Sequence, residues 1–185
     1  MYNFILISKD NNISINLLKE FFNGLFKNYT IEENNNLYII KHNSNDFDLI
    51  YDAINSFLCD TYSNTKVYLS KSSLSDYINL EIEEVSKYFN SNLINSIYTI
   101  KDLLLELNCY NESFKKIVLK KYYQNYSMYN TLKVFFLNNM NTLKSSKELF
   151  IHRNTLINQI QKFYETTSFD PKEFRDAYIL YSLIK

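Results

Sequence analysis

The chain has 185 residues and a formal net charge of zero, with 46% hydrophobic and 22% charged residues. These proportions are ordinary for a globular protein, and a chain of this length can bury one substantial core or two small ones. The single glycine, Gly24, excludes the glycine-rich loops with which P-loop and dinucleotide-binding proteins hold phosphate.

Cysteine content and hydropathy bear on the compartment in which the protein works. Cys59 and Cys109 lie far apart and show no paired spacing, which favours reduced thiols over a disulfide. The first ten residues lack a signal-peptide pattern, and no stretch approaches the roughly 18 apolar residues of a membrane span. We therefore expect a cytoplasmic protein without a membrane partner.

The first ninety residues alternate strand and helix patterns. Short apolar runs predict strands, and apolar residues three and four apart predict helices. The predicted elements are a strand at 2–7, a helix over 17–26, a hairpin of 29–31 and 37–40 around the polar stretch 32–36, a helix over 47–58, a strand at Val67–Leu69 and a helix over 80–89. The order β-α-β-β-α-β, followed by one more helix, indicates an α+β protein whose N-terminal domain has a ferredoxin-like sheet.

Beyond Ser96 the strand pattern stops, and only helices are predicted. Residues 100–107 and 114–123 are predicted as connecting helices, followed by helices over 128–139, 143–149 and 153–165 and a fourth near the C-terminus. Ser127 is predicted as the N-cap of the first of these four, and Asp170 as the N-cap of the last, with Pro171 at its first position. The last helix is predicted to bury Phe174, Ala177, Tyr178, Tyr181 and Ile184.

The second and third of these four helices have the residues that a helix-turn-helix needs. Two helices that cross steeply need a small residue at their contact and an apolar residue in the turn, and Ser146 and Ile151 supply them. The later helix has an apolar face of Leu156, Ile160 and Phe163. Its polar positions carry Arg, Asn and Gln, which can read base edges by paired hydrogen bonds, with lysines nearby for phosphate. The candidate DNA-binding residues are Lys144, Ser145, His152, Arg153, Asn154, Thr155, Asn158, Gln159 and Lys162.

Charge is distributed unevenly along the chain. Residues 1–110 carry 14 acidic residues against 8 lysines, whereas residues 111–185 carry 10 lysines and 2 arginines against 6 acidic residues. A basic C-terminal part suits contact with a phosphate backbone, although a charge run is more often a solvated face.

The strongest motif lies at the predicted turn. Residues 149–156 read Leu-Phe-Ile-His-Arg-Asn-Thr-Leu, which resembles the signature of the C-terminal helix-turn-helix of the PucR family of regulators, including the CdaR sugar-diacid regulators. The resemblance covers roughly residues 128–185 and implies DNA binding by the helix that begins near Arg153. The chain departs from the family at Asn158 and Gln159, where an aromatic and a basic residue are usual.

The N-terminal part is similar to the degenerate GGDEF-like domain that precedes this module in CdaR-type regulators. A working diguanylate cyclase would carry paired glycines at the hairpin, and residues 32–36 contain none. The resemblance thus predicts a degenerate GGDEF-like domain over 1–96, a helical connector over 97–126 and a PucR-type helix-turn-helix domain over 127–185.

No residues suggest an enzyme, a metal site or a cofactor. His42 and His152, the two histidines, are interpreted as turn or surface residues, because no cysteine or histidine lies at metal-ligand spacing. Glu81, Glu83 and Glu84 are interpreted as the solvated face of a helix, since acid–base catalysis by paired carboxylates would need a pocket. We therefore expect no catalytic residues and a protein that is not an enzyme.

The sequence predicts a bacterial transcription regulator that binds double-stranded DNA as a homodimer, with its recognition helix at about 153–165 in the major groove. The alternative is a protein-interaction module in which the helix-turn-helix docks RNA polymerase or a partner regulator. The lack of basic side chains at 158–161 favours that alternative, and Arg153 and the basic C-terminal part oppose it.

Overall fold

The computed structural model describes residues 3–71, 75–89, 93–94 and 96–185. The chain divides into two compact units, Met1–Glu106 and Leu107–Lys185. The first unit contains a five-stranded sheet, and the described residues of the second form only helices and turns. The predicted α+β class with a helical C-terminal part is therefore confirmed.

The sheet of the first unit has the strand order β2-β3-β1-β4-β5. Its first four strands pair antiparallel, and β4 pairs with β5 in parallel. The first six elements follow the predicted β-α-β-β-α-β order. The strands are β1 (Asn3–Ser8), β2 (Tyr29–Asn34), β3 (Leu37–His42), β4 (Val67–Leu69) and β5 (Ile97–Tyr98).

Strand β5 was not predicted, because the strand pattern had been expected to end at Ser96. It has only two residues, whose register pairs Val67 with Ile97 and Tyr68 with Tyr98. Two residues are too few to show an alternating pattern, so only pairing with β4 identifies this strand. The predicted start of β1 at Tyr2 lies outside the described residues.

The hairpin is tighter than the sequence predicted. Strand β2 continues to Asn34, so the turn consists of Asn35 and Asn36, and Asn35 has a φ of 46°. Asparagine adopts this left-handed conformation more readily than most residues. Glu32 is exposed within the strand, and its carboxylate pairs across the hairpin with Lys41 Nζ at 2.9 Å.

Helices α1 and α2 pack on one face of the sheet and enclose the main core of this unit. Each begins at a polar cap, since Ser14 Oγ accepts from the Leu17 N–H and Asp46 Oδ1 from the Leu49 N–H. The core includes Ile5 and Ile40 from the sheet and Phe22 and Ile54 from the helices. The helices of this part are α1 (Ile15–Leu25), α2 (Phe47–Asp60), α3 (Ser75–Ser86) and α4 (Ile100–Leu107).

Two glutamates of α3 are buried, which corrects their interpretation as a solvated face. Glu81 Oε1 accepts a hydrogen bond of 2.6 Å from the buried Tyr68 hydroxyl, and Glu84 Oε2 lies 2.7 Å from Lys87 Nζ. Burial, reinforced by the Glu81 charge, raises the pKa of Tyr68 well above its usual value. Of the three glutamates, only Glu83 is exposed. The prediction failed because polar partners let carboxylates occupy a buried helix face.

His42 at the end of β3 is buried, so its interpretation as a surface residue is wrong. Its side chain is 3% exposed, and its ring stacks on Phe26 with centroids 4.2 Å apart. Its Nδ1 is buried and has no hydrogen-bond partner among the described residues. Burial lowers the pKa of His42 from 6.5 to about 4, so the imidazole is neutral at pH 7 in the folded protein.

We expect His42 to make the first unit less stable in acid. The unfolded chain binds a proton near pH 6.5 and the folded chain only near pH 4, so the stability present above pH 6.5 is lost as the pH falls through this window. The free energy of unfolding should be about 2 kcal/mol lower at pH 5 than at pH 7 through this residue alone. Urea unfolding at both pH values, followed through the amide signals of β1 and β3, measures the difference.

His42→Phe should remove most of this difference between pH 7 and pH 5. The exposed histidine provides the matched control, and His152→Asn should leave the difference as it is in the unsubstituted protein. If the free energy of unfolding depended on pH equally in the unsubstituted protein and in His42→Phe, the pH dependence would not come from His42.

The second unit is built from five helices and one 3-10 turn (Lys120–Tyr122). The first helix, α5, begins after Asn111, whose Oδ1 accepts from the Phe114 N–H at 2.9 Å. The turn packs on a later helix through the rings of Tyr122 and Phe163, whose centroids lie 5.1 Å apart. The helices are α5 (Glu112–Leu119), α6 (Tyr126–Leu137), α7 (Thr142–Glu148), α8 (Arg153–Thr167) and α9 (Phe174–Ile184).

Two predicted helix starts in this unit are wrong. Helix α6 is capped by Asn125, whose Oδ1 accepts from the Met128 N–H at 3.0 Å, and Ser127 lies within the helix. Helix α9 is capped by Glu173 instead of Asp170. The Asp170 carboxylate accepts from the Lys172 N–H at 2.9 Å and so stabilises the turn that precedes the helix.

The buried face of α9 also differs from the predicted stripe. Of the five predicted residues only Ala177 is buried, whereas Phe174 is 78% exposed and Tyr178 is exposed as well. Nearly every position of α9 after Asp176 is apolar, so the periodicity does not single out one face. Packing selects the face, which consists of Asp176, Ala177, Ile179, Leu180 and Leu183.

Candidate nucleic-acid interface

A small apolar cluster holds α6, α7 and α8 together. Phe135, Leu156 and Ile160 form its buried centre, and Leu149 and Ile151 pack against them. Phe163, the third residue of the predicted apolar face of α8, is also fully buried. The predicted apolar face of α8 is therefore confirmed. Burying that face leaves most of the polar positions of α8 directed away from the core.

Helix α7 begins at a strong cap. Asn141 Oδ1 accepts hydrogen bonds of 3.0 Å from the N–H groups of both Leu143 and Lys144. These bonds satisfy two of the backbone donors that a helix start leaves without partners. They also fix the backbone of Lys144 at the first turn of α7, where this lysine side chain is exposed.

The turn between α7 and α8 is short and has an unusual backbone. Phe150 adopts a φ of 54°, a conformation in which bulky residues are rare, and its ring is 95% exposed. Ile151 returns to the core, and its N–H donates to the Ser146 carbonyl at 3.0 Å. Ser146 is buried and its hydroxyl donates to the Leu143 carbonyl. Ser146 and Ile151 thus have the roles that the sequence predicted for them.

The first turn of α8 is organised by His152 and Arg153. His152 is the N-cap, and its Nδ1 accepts from the Asn154 N–H at 3.2 Å. The Nε of Arg153 donates to the hydroxyl of Thr142 on α7 at 3.3 Å. Thr142 was not among the candidate residues. Its position directly after Asn141, the residue that caps α7, is the sequence feature that could have identified it.

The other candidate side chains of α8 are mostly exposed. Asn154, Thr155, Asn158 and Lys162 all point into solvent, as does Arg153 itself. In a helix, position 158 lies about one turn beyond both 154 and 155, so the three positions fall on one side. These positions carry amide and hydroxyl groups, and the preceding Arg153 adds a guanidinium group, all of which can donate to base edges or phosphate oxygens.

Two candidate residues are less exposed than these side chains. Ser145 is fully buried, and its hydroxyl donates to the Asn141 carbonyl at 2.8 Å, so it is not available to contact DNA. Gln159 is only partly exposed, and its Oε1 is buried without a hydrogen-bond partner among the described residues. In the sequence, both residues lie next to exposed ones. The packing of α7 and α8 against neighbouring elements is what turns the two side chains inward. We therefore remove Ser145 from the candidate set, whereas contact of Gln159 with DNA stays a prediction.

Positive charge surrounds this surface. Lys144, Lys147 and Lys162 are exposed near the first turn of α7, near its end and in the second half of α8.

Among the described residues, no group of three or more acidic, histidine or cysteine side chains could hold a metal ion. Likewise, no helix in the described part of the chain has the length and apolarity to cross a membrane.

Comparison with known proteins identifies the C-terminal domain. Residues 128–185 match the PucR C-terminal helix-turn-helix domain. A segment of 51 residues is 43% identical to the proline-responsive transcriptional activator PutR of Bacillus subtilis (strain 168) and covers 28% of this chain and 12% of that protein. The uncharacterized protein YxkF of the same organism is 39% identical over 51 residues, covering 28% of this chain and 17% of YxkF. The matches therefore span less than a fifth of the length of either relative.

One solved structure resembles nearly the whole chain. The crystal structure of a regulator of polyketide synthase expression from Bifidobacterium adolescentis aligns with 99% of this chain and 78% of that one, with a TM-score of 0.53. The two sequences are 15% identical. At this identity the likeness concerns the fold alone.

Proposed function

Because residues 128–185 are a PucR C-terminal helix-turn-helix domain, we propose that this protein is a transcription regulator that binds double-stranded DNA sequence-specifically. In this proposal α8 enters the major groove and reads base edges, and lysines of α7 and α8 contact phosphates. PutR, named as a transcriptional activator, supports regulation as the role of the domain. DNA is the partner, and the protein acts in the cytoplasm without a cofactor or an enzymatic step.

The observation that carries the proposal is the first turn of α8. The bond from Arg153 Nε to Thr142 ties that turn to the start of α7, and the arginine remains exposed. A guanidinium can bond two acceptors of guanine at once, and the amide of Asn154 or Asn158 can do the same with adenine. Groups held in place before binding lose less conformational entropy when they meet DNA.

The proposal includes a homodimer. A single recognition helix contacts only a few base pairs, and two-fold related helices one turn of DNA apart double that number. Dimerisation through the N-terminal unit or the residues 97–126 would supply this pairing. We assign the N-terminal unit as a degenerate GGDEF-like domain, over residues 1–96, on the order of its strands and helices and on the hairpin without glycine.

Selection from fragmented genomic DNA of the source organism tests the proposal. The purified protein should enrich a recurrent sequence at low salt, and the enrichment should decline at higher salt because binding to DNA releases counterions. A folded protein that enriches no sequence at either salt concentration would refute sequence-specific binding.

One observation favours a second function, docking of a protein partner through the helix-turn-helix domain. Phe136, Met140 and Tyr181 line an apolar groove together with the exposed rings of Phe174 and Tyr178. Exposed aromatic residues are frequent where proteins bind one another. If the selection recovers no DNA, docking to RNA polymerase or a partner regulator becomes the leading explanation for the domain.

A further inference from the structure

A cleft opens at one end of the sheet in the first unit. It lies where β2 begins and β3 ends, and residues of α3 complete its wall. Its volume is about 670 Å³. Clefts of this size are typical of small-molecule sites, which range from roughly 300 to 1,000 Å³.

The wall of the cleft is basic, whereas the unit that contains it is acidic overall. Residues 1–106 carry 14 acidic residues and 8 lysines, yet the cleft is lined by Lys27, Lys41 and His42 and by no acidic residue among those described. The Lys41 ammonium pairs with Glu32 outside the lining, whereas Lys27 has no ion pair in the described part of the chain. The wall therefore has an uncompensated positive charge.

Polar groups of the wall supply further donors. Asn28, Asn43 and Asn79 line the cleft, and each is exposed. An amide NH₂ group can donate two hydrogen bonds, and a lysine ammonium three. These donors, with the charge of the lysines, suit a ligand that consists largely of acceptor oxygens.

His42 lies at the boundary between this cleft and a smaller cavity beside Phe47 and Leu69, and it contributes a buried polar atom to the wall. It lines the cleft although only 3% of it is exposed, and its buried Nδ1 has no hydrogen-bond partner among the described residues. Buried polar side chains almost always have a partner in native proteins, and a missing one often marks a bound water, ion or ligand. A neutral imidazole has one N–H to donate and one nitrogen to accept.

We propose that this cleft binds a small organic anion, with the carboxylate or phosphate oxygens of the ligand held by Lys27, the neighbouring asparagine amides and the imidazole of His42. The proposal involves only residues of the N-terminal unit, so it does not depend on whether the C-terminal domain binds DNA. It gives the N-terminal unit a binding role of its own.

Titration with inorganic phosphate and with malonate, monitored by NMR of the histidine ring nitrogens, tests this proposal. The chain has only two histidines, so the ring signals of His42 can be followed separately from those of His152. At pH 7 the His42 signals should shift saturably with at least one of the two anions, with a dissociation constant of about 1 mM, as expected for a ligand of so few atoms. Sodium chloride at matched ionic strength should cause no such shift. Saturation by phosphate alone or by malonate alone would identify the anionic group that the site prefers.

Lys27→Gln should weaken the binding roughly tenfold, because glutamine can still donate a hydrogen bond but lacks the positive charge that strengthens a bond to an anion. Lys19→Gln is the matched control, because Lys19 is an exposed lysine of α1 that does not line the cleft. The proposal is overturned if neither anion shifts His42 saturably, or if Lys27→Gln binds as tightly as the unsubstituted protein.

Discussion

Arg153→Ala is expected to lower the affinity for the selected DNA sequence roughly 10- to 100-fold, because a well-placed arginine contributes about 1–3 kcal/mol to the reading of one base pair. The effect on unrelated DNA should be much smaller, so the ratio of specific to non-specific affinity should fall. Arg153 is exposed at the first turn of α8 and held by Thr142, so its loss leaves the buried face of the helix intact. Fluorescence anisotropy with both DNA sequences measures the two affinities.

Lys144→Ala separates contact with phosphate from the reading of bases. It should weaken both DNA sequences about equally and reduce the salt dependence, expressed as the slope of log K against log salt, by about 1. Lys19→Ala, in the acidic N-terminal unit, should change neither affinity. If Arg153→Ala and Lys144→Ala both bind DNA as the unsubstituted protein does, the proposed orientation of α8 is wrong.

Phe135→Ala is expected to destabilise the C-terminal unit by about 3–5 kcal/mol, the usual cost of removing a fully buried phenyl ring. Phe135 is 0% exposed at the centre of the cluster that joins α6 to α8. Because the total stability of a small domain is only about 5–15 kcal/mol, this change should partly unfold the domain and abolish its specific DNA binding. Chemical unfolding followed by circular dichroism measures the loss.

Phe150→Ala is the matched control for that prediction. It removes the same ring from the turn between α7 and α8, where Phe150 is 95% exposed. The left-handed backbone conformation is as unfavourable for alanine as for phenylalanine, so the stability should change by no more than about 0.5 kcal/mol. A loss of stability in Phe135→Ala as small as that expected for Phe150→Ala would show that the cluster around Phe135 does not hold the unit together.

The parts of the candidate interface that could be predicted from the sequence are those with a distinctive local motif or residue spacing. The motif at residues 149–156 identified the turn, and the match over residues 128–185 confirms the domain. The spacing of Leu156, Ile160 and Phe163 identified the buried face, since apolar residues at these intervals fall on one side of a helix. Whether the exposed residues of α8 contact DNA remains a prediction.

The sequence alone determined the α+β class, the order of the first six elements and the apolar face of α8, because each depends on a repeating pattern within one segment. Only the tertiary structure decided which side of α9 is buried and which neighbouring side chains, such as Ser145, turn inward. It also decided that two residues pair as β5 and that His42 lies buried against Phe26. These features depend on contacts between residues far apart in the chain, and a single segment contains no information about the partner that it will meet.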